Sequence, residues 1–123
     1  MTCADFENLV DSVIGTPYRV RGMSTAGFDC LGLVLFLLRE GFGVDLAYPA
    51  GPGIEKRVRA FFARFRKVES PEPGDVLYYA DLEGYSHVAL VEDAQWCVET
   101  GDWCDTRRRE FRDLPGYVIW RVV

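Results

Sequence analysis

Phe28-Asp29-Cys30-Leu31-Gly32-Leu33-Val34-Leu35-Phe36-Leu37-Leu38 is the stretch on which the fold turns. From Cys30 to Leu38 it is apolar on every side, broken only by Gly32, and Arg39 and Glu40 then precede Gly41 and Gly43. A helix apolar all round lies buried at the centre of a domain, and a basic residue followed by glycine is an ordinary helix stop. The run falls far short of the roughly 20 residues that cross a bilayer, so no membrane span is expected.

Upstream, Phe6, Leu9, Val10, Val13 and Ile14 share one face of an amphipathic helix that starts after Thr2 and ends at Gly15 and Pro17. Thr2 with Asp5 forms an acidic variant of the capping box. Residues 16–28 show no sustained period and read as a loop. Downstream of the turn-rich segment 49–53, Ile54, Val58, Phe61, Phe62 and Phe65 alternate with Lys56, Arg57, Arg59, Arg64 and Arg66 in helical register, as a surface helix with a solvated basic side does. After Pro71, Pro73 and Gly74 the period becomes strand-like: Asp75–Tyr79, Ser86–Val91, Gln95–Glu99, Thr106–Phe111 and Tyr117–Val122 are short, rich in β-branched and aromatic residues, and separated by turns. Three helices followed by five strands predict an α+β fold, and 123 residues suit one domain spanning 1–123.

Fourteen basic against nineteen acidic residues leave a net charge of −5, which lacks the basic footprint of a nucleic-acid binder. The Arg107-Arg108-Arg109 run is expected to be a solvated face. The first ten residues carry Asp5 and Glu7 and no basic-then-apolar pattern, so no secretory leader is expected and synthesis is expected in the cytoplasm. In that compartment the four cysteines are reduced, Cys3 is inert, and Cys97 and Cys104 read as ordinary partly buried thiols, with a redox-linked pair as the alternative. A single histidine excludes a His-rich catalytic metal centre. A zinc site of Cys30, His87, Cys97 and Cys104 is disfavoured because no Cys-x-x-Cys spacing occurs, and neither metal nor other cofactor is expected.

Asp29-Cys30 lies where a glycine-containing loop meets the start of the buried helix. Unpaired amides and the helix dipole there favour an anion, which predicts a thiol pushed toward thiolate and N–H donors for an oxyanion. His87 begins the strand Ser86–Val91, and the small Ala89 on its face is expected to leave room for the helix end. Cys30 and His87 thus form a candidate nucleophile and base. A third group should orient the imidazole. If Val91 pairs with Gln95, Glu99 stands directly opposite His87; a loop one residue longer puts Thr100 there, and Asp102 is a further reserve.

Ile14-Gly15-Thr16-Pro17-Tyr18, Gly22, Gly27-Phe28-Asp29-Cys30-Leu31-Gly32-Leu33-Val34, Pro73-Gly74-Asp75-Val76 and Ser86-His87-Val88-Ala89 together resemble the NlpC-type cysteine peptidases of papain-like fold. The resemblance implies helices packed on a five- to six-stranded antiparallel sheet, and hydrolysis of amide bonds in the stem peptides of peptidoglycan. It implies Cys30 as nucleophile, His87 as base and Glu99 as third polar residue, with Tyr18 near the thiol and the oxyanion, and Asp29 and Ser86 where relatives contact a substrate amino group. Phe28–Val34 with Arg39-Glu40, Gly43-Val44-Asp45-Leu46 and the closing Gly116-Tyr117 is similar to small phage and prophage tail-associated members, which implies tail proteins as partners and association with a virion. The alternative is a tail assembly component that keeps the fold with weak or no activity. Two residues depart from the pattern: Leu31 stands where Ser or Trp commonly follows the cysteine, and Glu99 stands in place of the usual second histidine.

Overall fold

The computed structural model describes residues 2–80, 84, 86–114 and 116–123, with the Ile54 side chain outside that description. Helix α1 (Cys3–Val13) starts as its sequence requires: the Thr2 hydroxyl accepts from the Asp5 amide and the Asp5 carboxylate accepts from the Thr2 amide, both at 3.1 Å. Phe6, Val10 and Val13 are buried, whereas Ile14 caps the C-terminus and is exposed. Helix α2 (Cys30–Phe42) carries the apolar run and ends on Gly43, whose left-handed backbone (φ 67°) lets its amide reach the Leu38 and Arg39 carbonyls. Leu31, Leu33, Val34, Leu37 and Leu38 are all essentially inaccessible to solvent.

The segment read as a loop contains a two-stranded antiparallel piece, β1 (Met23–Ser24) and β2 (Gly27–Phe28). Helix α3 (Gly53–Phe61) is shorter than its periodicity predicts. After a single 3-10 turn over Phe62–Arg64 the chain becomes strand β3 (Phe65–Val68), so Phe65 and Arg66 are strand residues. The apolar spacing continues across this break because Phe61, Phe62 and Phe65 form one aromatic cluster, with centroids 4.7 to 5.4 Å apart, and that cluster is satisfied by either backbone. Strands β4 (Val76–Ala80), β5 (Ser86–Val91), β6 (Trp96–Gly101), β7 (Cys104–Glu110) and β8 (Val118–Val122) complete one antiparallel sheet in the order β3-β8-β4-β5-β6-β7. The architecture is α+β. No helix among the described residues is long and apolar enough to cross a membrane.

Both faces of the sheet are covered. Val76, Val88, Leu90 and Val98 face α2 and the helical layer, while Leu77, Tyr79, Ala89, Val91, Cys97 and Ile119 face a smaller cluster closed by Phe111 and Leu114. The helical layer therefore packs on the Val88 and Leu90 side, opposite to the expectation drawn from Ala89. Asp75 of the Pro-Gly-Asp turn is buried and accepts two bonds from Arg121 (2.9 and 2.8 Å), tying the start of β4 to β8. The edge strands β3 and β7 carry Arg66, Lys67 and Arg107 to Arg109, charges that discourage edge-to-edge pairing.

Candidate active site

Cys30, His87, Tyr18, Asp29, Ser86, Thr100 and Asp102 line one cleft of about 160 Å³ at the start of α2, together with Arg57, Gly101 and Trp103. A larger hollow of about 590 Å³, between the start of α1 and the end of α2, contains none of these residues. Cys30 is the first residue of α2 and Asp29 is its N-cap, accepting from the Gly32 amide at 2.6 Å. The other Asp29 oxygen accepts from the Tyr48 hydroxyl, so both carboxylate oxygens already hold bonds within the protein.

The Cys30 thiol is not pushed toward thiolate. Burial, followed by the negative charge of Asp29, raises it to about 12, and this outweighs the backbone groups of Val88, Leu31 and Cys30 that favour the anion. The helix start acts in the expected direction but loses to desolvation, because the sulfur belongs to a residue only 6% exposed. Tyr18 likewise keeps its proton above the ordinary range, through burial first and then the charges of Asp29 and Cys30. Its hydroxyl is thus available as a donor at the cleft wall.

His87 is nearly inaccessible, at 3%. Its ring packs edge-on to Tyr79, with centroids 5.1 Å apart, and beneath Trp103 at 4.9 Å. Trp103 takes this position only because residue 101 is glycine: a Cβ there would lie 2.6 Å from the indole. Among the described residues His87 Nε2 has no hydrogen-bond partner, and it stands 3.7 Å from Glu99 Oε1, beyond hydrogen-bond length but within ion-pair reach.

Glu99 meets His87 through a register other than the one expected. Leu90 pairs with Val98 and Val91 with Cys97, so the ladder carried on in the same register sets Glu99 beside Ala89, two residues along the strand from His87. The slip is two residues, and a side-chain period of two keeps Glu99 on the imidazole face; a slip of one would have turned it away. Glu99 is fully buried. Oε1 accepts from the Tyr79 hydroxyl, and Oε2 accepts from Arg107 Nε at 2.9 Å, with Arg107 Nη2 at 2.8 Å and Arg109 Nη1 at 3.5 Å.

The arginine run is accordingly not a solvated face. Arg107 and Arg109 point to Glu99, while Arg108, on the opposite side of β7, forks onto Glu92 at 2.8 and 2.9 Å and reaches Asp11 at 2.7 Å. Alternation along a strand could have shown this, given an acidic partner on each face. Sequence reasoning also missed Arg57, Tyr48 and Glu55. Glu55 accepts from the Ser86 amide at 2.9 Å and from its hydroxyl, and Ser86 Oγ also lies 2.7 Å from the Tyr78 hydroxyl. All four cysteines are free thiols.

Burial would raise the Glu99 carboxyl, but the His87 imidazole at ion-pair distance and the bonds from Tyr79 and Arg107 more than offset it and hold it down at about 2, against an ordinary 4.5. With the folded value depressed, the stabilisation is fully present above pH 4.5 and is lost as pH falls toward 2. The difference of 2.5 pH units amounts to about 3 kcal/mol. Urea unfolding of wild type and Glu99→Gln between pH 7 and 2.5 checks this. The wild-type advantage should shrink across that window, and an advantage independent of pH would exclude Glu99 as the titrating group.

A family model described as the NlpC/P60 family matches residues 15–108. The chain is 30% identical over 91 residues to the probable endopeptidase NlpC of Escherichia coli (strain K12), covering 72% of this chain and 55% of that protein. It is 28% identical over 80 residues to the probable peptidoglycan endopeptidase LytE of Bacillus subtilis (strain 168), covering 64% and 21%. The chain thus spans about half of one curated relative and about a fifth of the other. Among solved structures, the NlpC/p60 domain of the peptidoglycan hydrolase SagA superposes with TM-score 0.66 at 20% identity, covering 97% of this chain and 98% of that one. RipD from Mycobacterium tuberculosis, described as a non-catalytic NlpC/p60 domain protein adapted to peptidoglycan binding, superposes with TM-score 0.67 at 23% identity, covering 100% and 99%. A hydrolase and a non-catalytic protein match equally well, so the fold alone does not decide between them.

Proposed function

The chain belongs to the NlpC/P60 family, and from that premise we propose that it is a cysteine endopeptidase that hydrolyses amide bonds in peptidoglycan stem peptides. The observation that carries the reading is the cleft that Cys30, at a helix start, shares with the only histidine, itself backed by a buried, ionised Glu99. Names given to the relatives, a probable peptidoglycan endopeptidase and a probable endopeptidase, supply the substrate class.

In the cycle this arrangement supports, the Cys30 thiol passes its proton to His87 as the sulfur attacks the amide carbonyl. Amides of the first α2 turn, with the Tyr18 hydroxyl, hold the oxyanion. His87 then protonates the leaving amine, and a thioester remains on Cys30. Water attacks that thioester, giving one proton to His87 and returning the thiol. Glu99 stabilises the imidazolium in both half-reactions.

The test is incubation with defined muropeptides and identification of the products by mass. Two fragments that together equal the substrate plus one water support the proposal. Muropeptide binding with no fragments favours a second reading, a non-catalytic stem-peptide binder, which the buried thiol at about 12 and the 3.7 Å gap between His87 and Glu99 recommend. Location on a phage or prophage tail is part of the proposal, resting on the motif resemblance. Co-purification of the chain with tail particles tests it, and absence from them removes it.

A further inference from the structure

We propose that Arg107 is a positioning residue for His87, fixing the Glu99 carboxylate as its charge-neutralised partner. The inference rests on the reading of His87 as the base.

The two oxygens of Glu99 have divided duties. Oε2 faces the cations, Arg107 directly across the β6–β7 ladder and Arg109 two residues on, while Oε1 faces Tyr79 and His87. Among the described residues, the charged and titratable groups around Glu99 are Tyr79 from β4, His87 from β5, Cys97 from its own strand, and Cys104, Arg107 and Arg109 from β7. Arg107 and Arg109 are the positive charges fixed among them.

The arrangement matters because a general base must be free to take a proton. A buried carboxylate 3.7 Å from an imidazole, with no counter-charge, binds the imidazolium form strongly in a medium of low dielectric. An imidazole already protonated cannot accept the Cys30 proton. Arg107 cancels much of that attraction and still leaves Glu99 ionised and oriented to steady the imidazolium once it forms. The Arg107 side chain is 44% exposed and reaches Glu99 from the surface, so its charge can be removed without opening the core.

The single histidine makes the test direct: with any tag removed, one imidazole signal reports the couple in an NMR titration. Loss of the cation should make the His87–Glu99 couple hold its proton more tightly, whichever member carries it. In Arg107→Met the titration midpoint should rise by about one pH unit, and in Arg107→Lys it should stay close to wild type. The acid limb of kcat/KM should move upward by the same interval. A midpoint unchanged in Arg107→Met, or moved equally by Met and Lys, would overturn the proposal, since a merely structural arginine tolerates neither or both. Should Arg107→Met fail to fold, Arg107→Gln, which is neutral but keeps a donor for Glu99, takes its place: the same rise supports the inference, and an unchanged midpoint overturns it. The NMR arm needs no turnover, so a chain that shows the shift yet cleaves nothing would sink the hydrolase reading alone.

Discussion

Cys30→Ala should cleave stem peptides at least about a thousand-fold more slowly than wild type, and His87→Ala should fall nearly as far. The second half of that expectation is the more informative. Where a helix start or fixed cations alone hold a thiolate, losing the base leaves the nucleophile ionised. Here burial and Asp29 push the thiol up to about 12, so very little of it is ionised at pH 7 without help. No other imidazole exists to replace His87. Hydroxide then becomes the remaining route to thiolate, and residual activity in His87→Ala should climb about tenfold per pH unit between pH 7 and 10. Iodoacetamide alkylation of Cys30 should show the same slope in that variant and a flatter profile in wild type. A His87→Ala enzyme whose activity is high and indifferent to pH would refute the pairing.

Local signals carried α1, α2 and β5, because capping residues, glycine stops and periodicity act within a few residues of the backbone they direct. Cys30 and His87 were legible as neighbours in one cleft for that reason and through motif resemblance, since Cys30 opens α2 and His87 stands on β5. Signals that depend on partners distant in the chain did not carry. The thiol's protonation depended on burial under another layer, which no helix-start argument contains. The Arg107–Arg109 run became an ion-pair network because β6 placed Glu99 against it and α1 and the β5–β6 turn placed Asp11 and Glu92 on the reverse face. Arg57 reached the cleft from a helix whose pattern marked only its solvent side. The register of β5 with β6 was misjudged by two residues, yet the side chain faced correctly, because the pleat constrains parity more tightly than position.

Gly32→Ala should destabilise the protein by roughly 3 kcal/mol and displace the nucleophile, although alanine is the better helix former by about 1 kcal/mol. The first turn of α2 packs directly on the loop that precedes β1. A Cβ on residue 32 would overlap the Gly22 carbonyl oxygen and approach Asp29 Oδ1 at 3.1 Å. The obstacle is backbone, held by the Asp29 amide donating to the Gly22 carbonyl at 3.1 Å and the Gly22 amide donating to Arg19 at 2.8 Å. It cannot rotate aside as a side chain does, so the helix start must move, and the bond from the Gly32 amide to Asp29 stretches with it. Gly41, in the same helix, provides the control. A Cβ there meets Phe6 ring atoms at 3.1 Å and Leu9 at 3.3 Å, which are side chains able to give way, so Gly41→Ala should stay within about 1 kcal/mol of wild type. Thermal melts should show Gly32→Ala lower by about 10 °C and Gly41→Ala nearly unmoved. The Gly32 protein that survives should also hydrolyse more slowly at saturating substrate, since an oxyanion site made of first-turn amides tolerates little displacement. Equal melting temperatures for the two variants would mean that Gly22 and α2 separate freely, and the thiol's fixed position would then need another cause.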